Sequence, residues 1–136
     1  MLKAFVDTSV IMRILVKDDG KKRSASEDLI KNAKENGIAL YVLPVAILEV
    51  VWVLEKIYKC GKREIREIVE AIINTPELRC ELDGVFLSAI RDYHEKNIKF
   101  ADAVMTHWGL DNGIVAVFTY DEKDFKRIKG LEVRRP

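Results

Sequence analysis

Two continuous apolar runs, IALYVL at 38–43 and IVAVFT at 114–119, limit what this chain can fold into more than any other feature. Neither alternates polar with apolar residues, so neither suits a sheet with one wet face. Runs of this kind fit strands covered on both sides, as parallel strands usually are. Around them lie segments whose apolar residues recur at helical spacing. Residues 23–36 carry Ala25, Leu29, Ile30 and Ala33 on one side, and residues 62–74 carry Ile65, Ile68, Val69 and Ile72. Strands alternating with helices predict an α/β fold with a mostly parallel sheet covered on both faces, a three-layer α/β/α arrangement.

The remaining elements follow from local chemistry. LKAFV at 2–6 reads as a first strand, and VIMRILVK after it carries a helical stripe of Val10, Ile14 and Leu15 that Asp18, Asp19 and Gly20 stop. Gly37 suits the cap that ends helix 23–36. Pro44 fits the first turn of a helix over 45–59 that stops at Gly61. Helix 62–74 ends near Pro76. Asp83 caps a helix bearing Val85, Phe86, Ala89, Ile90 and Tyr93. A helix over 101–111 closes at Gly113, a short helix covers 122–128, and LEVR at 131–134 reads as an edge strand.

No repeat, low-complexity tract or linker divides the chain, so 1–136 reads as one domain. A net charge of +1 gives no global attraction to nucleic acid. Apolar runs fall short of the roughly 18 residues of a membrane span, and MLKAFVDTSV lacks a signal-peptide pattern. A soluble cytoplasmic protein is expected. Cys60 and Cys80 lack zinc-site spacing and read as reduced thiols.

Four acids occupy unusual places. Asp7 follows AFV, Asp102 lies in FADAV, Asp121 follows FTY, and Glu49 is the lone charge between Leu40 and Leu54. In an open α/β sheet the working crevice lies beyond the carboxyl ends of the strands. Asp7, Asp102 and Asp121 can all face that edge. Glu49 has Val45, Ala46, Trp52 and Val53 at helical spacing, so it is expected to point into the protein or a cleft. Each acid also has a plain reading: the three Asp as N-caps, Glu49 as the partner of a distant base such as Arg13. Together, clustered carboxylates repel, and a hard divalent cation is the usual remedy. All-oxygen ligation favours Mg²⁺ or Mn²⁺ over zinc. His94 and His107 read as surface or partly buried residues without a catalytic part.

FVDTSV, ILEVVWVL, FADAVMTHWGL and VFTYDEKDFKRI, in that order and across essentially the whole chain, resemble the four motifs of the PIN domain family, most closely its VapC-type ribonuclease toxins. The resemblance implies a five-stranded parallel sheet and Mg²⁺- or Mn²⁺-dependent cleavage of RNA. It implies Asp7 and Asp102 as principal metal ligands, with Glu49 and Asp121 completing the catalytic acids. Ser9 and Thr119 would position them, and Asp124 would be a fifth acid or a capping partner of the short helix. It also implies a homodimer and a cognate antitoxin. Consistent with a dimer, helices 45–59 and 62–74 carry more apolar residues than a monomer core requires. His107 and Trp108 stand where small apolar residues are more usual in the family.

Local basic groups at Lys21–Lys22–Arg23, Lys62–Arg63–Arg66 and Lys123–Lys126–Arg127 are the candidates for RNA contact, beside their plain reading as solvated helix surface. Two other readings compete. A receiver-like phosphoacceptor domain would need an aspartate ending the middle strand, where Leu43–Pro44 stand instead. A non-catalytic or housekeeping RNA-processing module would keep the fold with a degenerate acidic site.

Overall fold

The computed structural model describes residues 1–16 and 20–136. The helix stop expected at Asp18 and Asp19 lies outside the described residues. In chain order the elements are β1 (Leu2–Phe5), α1 (Thr8–Leu15), α2 (Gly20–Asn32), β2 (Ile38–Val42), α3 (Pro44–Lys56), α4 (Lys62–Ile73), β3 (Leu78–Cys80), α5 (Asp83–Glu95), α6 (Phe100–Asp111), β4 (Ala116–Phe118), α7 (Glu122–Phe125) and β5 (Glu132–Arg134). They gather into two compact units. The first holds Met1–Cys60 and Ala71–Glu81, the second Gly61–Glu70 and Leu82–Pro136.

In the first unit β2 lies between β1 and β3, and both pairings are parallel. Leu2 stands opposite Ile38, and Leu40 opposite Leu78. As the apolar run IALYVL requires, Ala39, Leu40 and Val42 are buried. Pro44 opens α3, where its missing N–H and fixed φ cost nothing. The core face of α3 is Ala46, Ile47, Val50, Val51 and Leu54. Burying a side chain such as Ile47 or Val50 stabilises by roughly 1.5–3 kcal/mol each. α1 packs on α2 and α3 and adds Ile11 to this core.

The second unit is built on α5 packed against α6. Phe100 stands 6.0 Å from Phe86 and 5.9 Å from Tyr93, ring centre to ring centre. Ile65, Val69, Ala89, Ile90, Ile98, Ala103, Phe125 and Ile128 complete the core. β4 and β5 pair in parallel, Ala116 opposite Glu132.

The α/β class and the parallel pairing agree with expectation, but the sheet does not. The five strands hydrogen-bond as a three-stranded and a two-stranded sheet among the described residues, instead of one sheet of five. Strand 114–119 shortens to three residues and is not covered on both sides, since Ile114, Val115 and Phe118 are 47%, 58% and 64% exposed. Among the described residues β5 is the single hydrogen-bonded neighbour of β4. β3 is visible in no pattern of the sequence, because three residues carry no period. Helix 23–36 ends at Asn32, and the chain turns into β2 through Gly37 at φ +69°. Cys60 and Cys80 form no disulfide. No helix among the described residues is long and apolar enough to cross a membrane.

Candidate functional site

The start of α6 is fixed by residues distant in sequence. After α5 the chain passes through Asn97 at φ +53° and buries Ile98. Arg127 Nη1 donates to the Lys96 and Asn97 carbonyls at 3.0 and 3.1 Å. The backbone N–H of Lys99 donates to Asp124 Oδ2 at 3.0 Å. Asp124 is buried, so its carboxylate is spent on this passage. Three residues on, in the first turn of α6, stands Asp102, partly buried. Burial raises its carboxyl pKa most, and Asp124 adds to the rise; Lys99 opposes it, and Asp121 raises it further.

Asp121 arrives from the other direction, three residues past the end of β4. Its backbone N–H donates to Thr119 Oγ1 at 2.9 Å, and that hydroxyl donates back to the Asp121 carbonyl at 3.2 Å. The turn therefore leaves the Asp121 side chain out of its own bonding. Lys99 Nζ lies 3.5 Å from Asp121 Oδ2. Lys99, Asp102, Thr119 and Asp121 form the polar end of a cavity of about 650 Å³, whose other walls include Met105, Trp108, Val117, Phe118 and Phe125.

In the first unit Asp7 follows β1 and is the N-cap of α1. Its Oδ2 accepts from Ser9 Oγ at 2.5 Å and from the Ser9 backbone N–H at 3.1 Å. The Ser9 hydroxyl, then the Ser9 N–H, hold its carboxyl below the usual range; slight burial opposes this and the Thr8 N–H adds to it.

Glu49 corrects an expectation. It is exposed, so of its two expected settings, the protein interior or a cleft, the interior is excluded, because α3 spends its buried face on Ala46, Ile47, Val50, Val51 and Leu54. The apolar residues beside it are themselves exposed, Val45 at 72% and Trp52 at 55%. An apolar helical neighbourhood is not a buried one when the helix is apolar all round.

The N-cap reading divides the acids. Asp7 is a cap in full. Asp102 sits inside α6, whose cap position is Lys99, and Asp121 occupies the cap position of α7 without accepting a hydrogen bond there. The structure therefore associates Asp102, Asp121 and Asp124 electrostatically and gives Asp7 a partner of its own. Among the described residues no three His, Cys, Asp or Glu side chains are arranged to hold a metal ion together.

Several basic residues proposed for RNA contact are engaged within the chain. Lys62 lies 3.8 Å over the Tyr93 ring, Arg66 reaches Glu70 and Glu95, and Lys126 meets Glu122 at 3.0 Å. Lys99 and Arg127 were not foreseen as parts of the acidic site. The signal for Lys99 was its place just before FADAV; Arg127 offered none beyond its charge. His107, singled out as unusual, puts Nε2 2.6 Å from Oδ2 of the buried Asp92 and so ties α6 to α5.

A model of the family described as PIN domain matches residues 4–131, and the chain belongs to the PIN domain family. Over 123 residues, covering 90% of each chain, it is 28% identical to a VapC ribonuclease of Aquifex aeolicus (strain VF5).

Proposed function

We propose that this chain is a divalent-metal-dependent endoribonuclease of the toxin type. The observation that carries the reading is the pair Asp102 and Asp121, two carboxylates left unspent by helix capping at the polar end of one cavity. The likeness to a VapC ribonuclease supplies the substrate class. The catalytic acids in this reading are Asp7, Glu49, Asp102 and Asp121, with Ser9, Thr119 and Asp124 in support.

The donor set at Asp102 and Asp121 suits a hard cation, Mg²⁺ or Mn²⁺, in the kind of atom it offers, although no three such side chains among the described residues are grouped for one. Its atoms are carboxylate oxygens, and Asp102 already carries the cost of burial and of like charges nearby. When bound, such a cation activates water and neutralises charge on a phosphodiester. The chain's own residues do the placing. Thr119 closes the turn that presents Asp121, and Asp124 with Arg127 fixes the passage that presents Asp102. Ser9 holds Asp7 ionised and in one orientation. No side chain serves as a strong base. The exposed apolar residues Val45, Trp52 and Ile57 support a homodimer. A cognate antitoxin with a basic segment for the acids, and a cytoplasmic setting, belong to the same reading.

The test is cleavage of labelled single-stranded RNA with Mg²⁺ or Mn²⁺, repeated with EDTA and with Asp102→Asn. Cleavage giving 5′-phosphate products, lost in both controls, is expected. Equal cleavage by Asp102→Asn, or in EDTA, would reject the proposal. RNA binding without cleavage would favour a non-catalytic RNA-binding module, a reading that the lack of a grouped metal set among the described residues keeps in play.

A further inference from the structure

The acidic end of the cavity contains a cation that the motifs did not announce. Lys99 Nζ stands 3.5 Å from Asp121 Oδ2, and the same residue lines the cavity beside Asp102. Its backbone is not free to move away. The Lys99 N–H is bound to the buried Asp124, and Arg127 holds the two carbonyls at Lys96 and Asn97. Its side chain, by contrast, is 73% exposed. A fixed Cα and a mobile four-carbon stem let the ammonium either rest on the carboxylates or turn out to solvent.

We propose that Lys99 is a built-in counter-ion of the acidic site, which neutralises Asp121 and its neighbours until a divalent cation displaces it. The proposal rests on the metal-dependent reading above. An ammonium beside a ligand carboxylate opposes a divalent cation in two ways. It occupies the oxygen, and it repels the incoming charge. Both effects are short-ranged and screened by salt. An ion pair this exposed adds little to folding, so replacing Lys99 leaves the fold intact. Lys99 thus sets how much free metal the site needs before it loads. A phosphate-contact role for the same ammonium would leave metal affinity untouched.

The experiment is calorimetric titration of the full chain with Mn²⁺ alone at low ionic strength, comparing wild type, Lys99→Met and Lys99→Arg. Circular dichroism checks that all three share one fold. Lys99→Met keeps the stem and removes the charge, and it should bind Mn²⁺ about tenfold more tightly, an advantage that fades toward about 1 M salt. Lys99→Arg should stay close to wild type. Equal Mn²⁺ affinity for wild type and Lys99→Met overturns the proposal while leaving the metal reading standing, and weaker RNA binding by Lys99→Met alongside it would assign the ammonium to phosphate. No Mn²⁺ binding by any of the three removes the metal reading and this proposal together.

Discussion

Asp7 and Asp102 are the same residue type near the start of a helix, yet their carboxyls shift in opposite directions. Asp7, in the first unit, is exposed and satisfied by Ser9 two residues away, so its charged form is favoured. Asp102, in the second, is partly buried near Asp124 and Asp121, so its charged form is disfavoured despite Lys99. One carboxylate is made comfortable by local chain; the other is made uncomfortable by residues brought from elsewhere. A carboxylate of the second kind has most to gain from a cation, and for that reason Asp102 stands at the centre of the proposed site.

Neutralising each acid in turn should have the largest effect. Asp102→Asn and Asp7→Asn should each lower RNA cleavage by about a thousandfold, the scale of removing a main electrostatic contributor. Their stabilities should differ. Asp102→Asn, relieved of an unfavourable charge, should melt at or above the wild-type temperature without metal, whereas Asp7→Ala, which deletes the cap, should melt below it. Thermal melts of Asp102→Asn that fall well below wild type would show that the Asp102 carboxylate is not strained as described.

Next in size is the tie that holds α6 to α5. Asp92 is buried and bonded to His107, with Lys96 at 3.6 Å. Asp92→Ala removes one side of this buried pair and should cost about 3 kcal/mol in urea unfolding. A loss near zero would mean that the aromatic cluster alone seats α6.

Smaller shifts are expected at the acids themselves. Ser9→Ala should raise the Asp7 carboxyl toward its ordinary value. Asp124→Asn still accepts the Lys99 N–H but sheds a like charge, and it should lower the Asp102 carboxyl. Carboxyl-carbon NMR titration reads both, and movement in the reverse sense for either would contradict the assigned cause.

The smallest effect is on stability against pH, and its signs oppose. Asp7 has a lowered folded pKa, so the stability it contributes is present above the ordinary aspartate value of about 3.9 and is lost as pH falls through the folded value. Asp102 has a raised folded pKa, so the folded chain binds its proton more tightly than the unfolded chain. Its penalty is present above that folded value and is relieved as pH falls toward the ordinary one. Urea unfolding of metal-free wild type and Asp102→Asn between about pH 3 and pH 6 should show their difference shrinking on acidification. A difference that grows would reverse the sign assigned to Asp102.

Much of this was legible in the chain, and the failures have physical causes. IALYVL predicted a covered strand and β2 is one, with Ala39, Leu40 and Val42 all buried. IVAVFT looked the same and is largely exposed, because composition reports what a strand could bury and not what is there to cover it. An inward-facing Glu49 fails for the same reason: apolar neighbours on a helix do not say which side faces the core. DTS announced the Asp7 cap, since cap and partner are two residues apart. Nothing in the order of residues could say that Asp124 would spend its carboxylate on the N–H of Lys99, 25 positions away.

The amino-acid order alone settled the α/β class, the strand before Asp7, the entry of α3 at Pro44 and the family motifs. Those depend on periodicity, backbone chemistry and partners within a turn or two, all of which are written locally. Tertiary structure alone decided which acids feel one another, that Lys99 rests beside Asp121, and that His107 binds a buried aspartate. Those depend on distance through space between groups far apart along the chain, and Coulomb interactions and desolvation answer only to that distance.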